Sequence, residues 1–235
     1  MPRRGTRHGP VRFRTRREAG QQLAEVLARR WLTTPVVLAL PRGGVPVAAE
    51  IAARLHAPLD VLIVRKLGCP GRRELGVGAV AEGGVQLRNE RLIAKLGLTP
   101  EELDPVVSSE RAEVERRARR YRGDRPAADV RGRTVIVVDD GLATGFTARA
   151  AIDVVRLRDA ATAVLAVPVA PVRAVEELRE VADDVVCLQT PTSFVAIGQW
   201  YDDFTQVGDD EVTALLDRHH PPHTPDAAGR RAPPR

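Results

Sequence analysis

Val135-Ile136-Val137-Val138-Asp139-Asp140-Gly141-Leu142-Ala143-Thr144-Gly145-Phe146-Thr147 joins an apolar run to two acids and a threonine-glycine turn. Four β-branched residues in succession fit a strand covered on both faces, as in the middle of a parallel sheet flanked by helices. Asp139 and Asp140 then stand at the strand's carboxyl end, where open α/β sheets bind their ligands. Thr144-Gly145-Phe146-Thr147 adds two hydroxyls, a glycine that permits close backbone approach, and the free amides of a helix expected to begin at Ala148. A helix start of this kind holds phosphate. Two carboxylates beside a phosphate cradle would repel a ligand that was phosphate alone, at a cost of order a kcal/mol or more at intermediate dielectric. The pattern therefore asks for neutral hydroxyls, or a metal, facing the acids and a phosphate in the turn. A sugar phosphate offers both.

With acids, threonines and glycine at these spacings, the segment resembles the signature of the type I phosphoribosyltransferases, which use 5-phosphoribosyl-1-pyrophosphate (PRPP). The resemblance covers roughly residues 11–220. It implies a five-stranded parallel sheet flanked by helices on both faces, with a small hood from the C-terminal aromatic segment. It also implies displacement of pyrophosphate from PRPP by a nitrogen acceptor of nucleobase type, with Mg2+ as cofactor on the pyrophosphate and ribose hydroxyls. Asp139 and Asp140 would hold the ribose and the metal, and would offset positive charge as C1 becomes oxocarbenium-like. Thr144, Gly145, Phe146 (through its amide) and Thr147 would fix the 5'-phosphate, with Ala143 also among the substrate-binding residues. Two positions depart from the pattern. Gly141 stands where a larger aliphatic residue is usual, and Ala143 stands where purine-salvage members carry an Asp that handles the base proton. Adenine- and uracil-type members are similar to this chain in having Ala there.

Other readings of the run are open to comparison. A receiver domain also ends a buried strand in paired Asp, but near the start of the domain and without a Thr-Gly-x-Thr turn. A nucleotide-triphosphate P-loop needs Gly-Lys ahead of its Ser or Thr, and Phe146 occupies the lysine's place. A surface turn with polar residues by chance is the plainest alternative.

The chain's 235 residues suit a single α/β domain of about 200 residues with ragged ends. Lys66 and Lys95 are the only lysines among 36 basic residues, so the formal charge of +5 is almost wholly arginine. Cys69 and Cys187 are too few for a disulfide framework and suit a reducing compartment. The basic start lacks an apolar signal region and no stretch approaches 18 apolar residues, so a cytoplasmic protein with no membrane partner is expected. Residues 1–10 and 221–235 are polar, Arg-rich or Pro-rich, and are expected to be disordered.

Between these ends, Ala19, Leu23, Leu27 and Trp31 mark an opening amphipathic helix. Strands are expected at 36–40, 61–64, 162–167 and 184–188. Helices are expected at 46–55, 89–96, 101–121, 148–158, 173–180 and 210–219. The glycine-rich stretch 68–84 reads as a mobile loop returning as a hairpin through Gly83-Gly84. It sits where the resemblance places a flexible catalytic loop, which would close to exclude water.

Leu40-Pro41-Arg42-Gly43-Gly44 follows the first strand and resembles the family's pyrophosphate loop: glycines admit close approach and arginine grips phosphate oxygens. It could equally be a plain turn. Arg65-Lys66 ends the expected second strand on the same edge, and Lys66 could hold the leaving pyrophosphate; the alternative is a solvated strand end. Residues 194–204 hold Phe194, Trp200, Tyr201 and Phe204, four of only eight aromatics. They are similar to a hood in which Phe194 and Trp200 would stack on the acceptor at ~0.5–1.5 kcal/mol, or they only cap the sheet. His219, His220 and His223 lack acidic or cysteine partners and read as no metal site. The arginines at 12–17 and 116–125 could attract nucleic acid, but few aromatics interleave them and a solvated face is expected. Exposed helix faces leave room for a homodimer. The alternative function is a regulator that senses PRPP or a nucleotide and binds nucleic acid; a hydrolase acting on ribosyl phosphates is a third.

Overall fold

The computed structural model describes residues 12–30 and 32–219. The expected tails at 1–10 and 221–235, and Trp31, His220 and His223, lie outside them. In chain order the elements are α1 (Arg16–Leu27), β1 (Val36–Ala39), α2 (Gly44–Leu55), β2 (Leu59–Val61), β3 (Val64–Cys69), β4 (Arg72–Ala81), β5 (Gln86–Arg88), α3 (Glu90–Leu96), α4 (Pro100–Arg122), β6 (Thr134–Val138), α5 (Phe146–Leu157), β7 (Thr162–Val169), α6 (Val172–Arg179), β8 (Asp184–Gln189) and α7 (Asp209–His219).

Five strands form one parallel sheet in the order β2-β1-β6-β7-β8. The signature strand β6 lies at its centre and every residue in it is buried. Successive side chains of a strand point to opposite faces, and the apolar run is divided accordingly. Ile136 and Val138 join a core with Leu23 of α1, Ile51 of α2 and Leu216 of α7. Val135 and Val137 join the other, with Ile152 of α5 and Leu178 of α6. A continuous apolar strand is what a sheet covered on both sides requires.

The second sheet, β3-β4-β5, is antiparallel and corrects two expectations. The strand expected at 61–64 ends at Val61, and Val64 already belongs to the ribbon. The stretch expected as a mobile loop is mostly paired strand, with β3 against β4 and Gly71, at φ 72°, in the turn between them. Its glycines serve close approach between chains rather than looseness. A Cβ on Gly68 would lie 2.7 Å from the carbonyl oxygen of Arg73, and one on Gly78 would collide with that of Leu87.

Helix α4 covers the ribbon. Thr99 caps it by a reciprocal pair with Glu102: the Glu102 amide donates to Thr99 Oγ1, and the Thr99 amide donates to Glu102 Oε2 at 2.9 Å. Thr99→Ala should cost about 1 kcal/mol in denaturant unfolding, and no measurable loss would show that tertiary packing alone sets this end. At the other end Arg122 is buried between two buried acids. Its Nε lies 3.0 Å from Asp60 Oδ1 and its Nη1 lies 2.6 Å from Glu82 Oε2. The same acids accept the amides of Val61, Ala128 and Ile63, so one ionic knot joins α4, β2 and the end of β4. Among the described residues no helix is long and apolar enough to cross a membrane.

Candidate active site

Parallel pairing aligns the carboxyl ends of β1 and β6, with Ala39 opposite Val138, so the segments that follow them, 40–44 and 139–147, share one edge. The root of the ribbon meets this edge. A cavity of about 770 Å3 opens there, lined by Pro41, Arg65, Lys66, Asp139 and Thr147 among the expected residues. That volume is within the range of small-molecule sites. A second cavity of about 470 Å3 shares Lys66 and Glu74 with the first and is lined by Thr144, Gly145, Phe146 and Arg149. Gly145, at φ 72°, is the left-handed residue that turns the chain into α5, and the Phe146 ring and the stem of Lys66 both close on Gly76. Ala143 is exposed and lines neither cavity.

The two acids face different neighbours. Asp139 opens on the larger cavity and accepts the Asp140 amide on Oδ1 at 2.9 Å. Burial, and then the adjacent Asp140 carboxylate, push its carboxyl well above the usual range. Asp140 lines neither cavity. Its Oδ2 accepts Arg16 Nε at 2.7 Å and its carbonyl accepts the Tyr201 hydroxyl at 2.6 Å. Burial raises the Asp140 carboxyl while Arg16 pulls it down. Of the two acids expected to hold ribose and metal, Asp139 faces the cavity, whereas Asp140 is engaged by Arg16.

Arg16 itself went unrecognised within an arginine run read as solvated. It donates from Nη1 to the Thr205 carbonyl at 2.9 Å, and its guanidinium carbon lies 3.8 Å from the Phe204 ring centre. Only its place as the first helical residue after the Thr15 cap sets it apart in the sequence. Gly43 presses on the same carboxylate, since a Cβ there would collide with Asp140 Oδ2. Gly43→Ala should therefore cost about 1–3 kcal/mol, read as a lower melting temperature. Unchanged stability would mean that Asp140 can move aside freely. Gly44 is equally constrained, because its Cβ would lie 3.0 Å from the Asp139 Cα.

Several expected contacts are redirected. Arg42, expected to grip pyrophosphate, instead reaches Asp209 Oδ1 at 3.5 Å, where Tyr121 also donates; the first turn of α7 offers it a nearer anion. Arg65 Nε pairs with Glu110 at 2.7 Å, and Lys66 Nζ donates to the Glu74 carbonyl at 3.2 Å. Phe194 and Trp200 stack on each other with centres 6.4 Å apart, and Trp200 is buried with Phe13, Ala19 and Val169. They line neither cavity and pack at the sheet's end, the placement of the capping alternative. Ile197 fills the space a side chain at Gly141 would need, which accounts for that departure. Four arginines of α4 lie against acids: Arg116 and Arg117 share Glu113, Arg119 lies by Glu115 and Arg120 by Asp210.

The geometry suits Mg2+ carried in by a substrate. Among the described residues no group of three or more His, Cys, Asp or Glu could cage a metal. Mg2+ commonly binds through one or two carboxylates together with substrate phosphates, and Asp139, buried and crowded by a second carboxylate, gains from a nearby cation.

Comparison with known proteins agrees with this architecture. A family model described as a phosphoribosyl transferase domain matches residues 16–205. A Mycobacterium tuberculosis protein of strain CDC 1551, provisionally named a phosphoribosyl transferase, is 49% identical over 208 residues. A counterpart from strain H37Rv matches to the same extent. The match spans 88% of this chain but 47% of each relative, so the chain corresponds to about half of their length. The crystal structure of TT1426 from Thermus thermophilus superposes with a TM-score of 0.81 at 46% identity, over 88% of this chain and 99% of that one.

Proposed function

This chain belongs to the type I phosphoribosyltransferase family, and on that premise we propose that it transfers the 5-phosphoribosyl group of PRPP to a nitrogen of a nucleobase-like acceptor. The bond from C1 to the diphosphate oxygen breaks, the bond from C1 to nitrogen forms, and pyrophosphate departs. The observation that carries this reading is the meeting of Asp139, Thr147 and Lys66 in one cavity at the carboxyl edge of the sheet. A polar ribose, a phosphate and a departing diphosphate need an acid, a hydroxyl-bearing helix start and a cation in that proximity.

In this reading Asp139 accepts a ribose hydroxyl and stabilises positive charge at C1, by the preorganised electrostatics that often dominate catalysis. Thr144, Gly145, the Phe146 amide and Thr147 hold the 5'-phosphate at the start of α5. Lys66 and Arg65 face the diphosphate. Arg16 holds the Asp140 carboxyl in place and offsets part of the upward push of burial, so Asp140 acts as support for the ribose site. When bound, Mg2+ would neutralise diphosphate oxygens, with Asp139 as its protein ligand. Ala143 carries only a methyl group, so no side chain there takes the acceptor's proton.

The test is a pyrophosphate-release screen with PRPP, Mg2+ and a panel of purines, pyrimidines and simple amines. Release that depends on one acceptor class is the expected result and names the acceptor. No release with any of them, together with no PRPP binding in calorimetry, would defeat the proposal.

A further inference from the structure

We infer that α4 closes the diphosphate end of the larger cavity, and that Arg117 is the residue on it that holds the departing diphosphate. The inference rests on the phosphoribosyl-transfer reading above and adds to it a residue outside the signature segments. The cavity is unevenly charged. Asp139 and Thr147 come from the sheet edge, whereas the ribbon brings Arg65, Lys66 and Arg73 and α4 brings Arg117. These cations are not equally committed. Arg65 is matched by Glu110 and Lys66 by Glu74. Arg117 shares Glu113 with Arg116, each Nε lying 2.7 Å from a different oxygen of that carboxylate. Two guanidiniums therefore stand on one acid, whose carboxyl is held down to about 2 by hydrogen bonds from Arg116 and Arg117. One positive charge is left in surplus, and of the two arginines it is Arg117 that lines the cavity.

The way Arg117 is held suits it to the role. Its Nε is fixed on Glu113, while its two terminal nitrogens make no hydrogen bond within the described residues. Arg65, on the ribbon, is tethered in the same manner by Nε to Glu110. Each guanidinium is thus oriented by one acid and presents a free planar fork, the arrangement that binds phosphate oxygens two at a time. A diphosphate has two phosphate groups for two such forks. Arg42, which the resemblance assigned to this ligand, lies 3.5 Å from Asp209 and lines neither cavity, whereas Arg117 supplies a cation on the cavity wall.

Pyrophosphate is a product whatever the acceptor, so the test needs no knowledge of the acceptor. Calorimetry with magnesium pyrophosphate, PRPP and ribose 5-phosphate would compare the wild type with Arg117→Gln, Arg117→Lys and Arg116→Gln. Arg117→Gln should weaken pyrophosphate and PRPP by at least about tenfold and leave ribose 5-phosphate within about twofold. Arg117→Lys should recover part of the loss, since it restores charge without the fork. Arg116 lines neither cavity, and Arg116→Gln leaves Glu113 wholly to Arg117, so this variant should weaken pyrophosphate and PRPP by less than Arg117→Gln does and leave ribose 5-phosphate within about twofold of wild type. Pyrophosphate affinity unchanged in Arg117→Gln, or an equal loss of ribose 5-phosphate, would overturn the inference while PRPP binding by the wild type keeps the transferase reading. Wild-type protein that binds neither PRPP nor pyrophosphate would overturn both.

Discussion

Arg122→Met should destabilise the fold by about 3–5 kcal/mol, because it strands two buried carboxylates without their cation. Asp60 and Glu82 are 2% and 8% exposed, so water cannot take over from the guanidinium. Both acids also accept backbone amides, at Val61, Ala128 and Ile63, and cannot turn away without breaking those bonds. Urea unfolding would read the loss directly. The triple variant Arg122→Met with Asp60→Asn and Glu82→Gln separates charge from packing: it should recover part of the deficit, since neutral amides cost less to bury unpaired, while Asn at position 60 keeps only one of the two oxygens that accept Val61 and Ala128. A loss below about 1 kcal/mol in the single variant would mean that solvent reaches the knot and that surface-pair energetics apply.

Asp139→Asn carries the largest expected effect on function, a loss of at least about tenfold in PRPP binding or turnover, equivalent to ~1.4 kcal/mol. Asparagine is close in shape and keeps an oxygen for the Asp140 amide that Oδ1 now accepts, so the fold should survive. What disappears is the single carboxylate of the signature pair that faces the cavity. Adding Asp140→Asn should deepen the loss through another route, because Arg16 then loses the anion it meets at 2.7 Å. PRPP binding equal to wild type in calorimetry, with turnover intact, would remove Asp139 from the role given to it here.

How much of this was legible in the sequence depends on how local each cause was. The strand at β6 and its place at the sheet's centre followed from four consecutive β-branched residues, and both cores use them as alternation requires. The turn at 144–147 was equally legible as the start of α5, since a helix start is built from neighbours in the chain. The hairpin through Gly83-Gly84 was legible, but the mobile loop before it was misread because Gly68 and Gly78 look the same on paper whether they loosen a loop or let two strands approach; only the partner carbonyls of Arg73 and Leu87 decide it. The partners of Asp140 and Arg42 lie far away in sequence, at Arg16 and Asp209, and no spacing rule reaches across such separations. Arg117 was hidden for another reason: it sits in a row of arginines, and only the packing of α4 singles out which one faces inward.

The clasp around Asp140 also bears on the order in which the protein matures. Arg16 belongs to the first helix, while Tyr201 and Thr205 come after the last strand of the sheet. Synthesis proceeds from the amino end, and folding units form as they emerge. A nascent chain can therefore hold its central strands and still leave this carboxylate unsecured until the closing segment has left the ribosome. The clasp on Asp140 is therefore closed only after the sheet's last strand, β8, has been made.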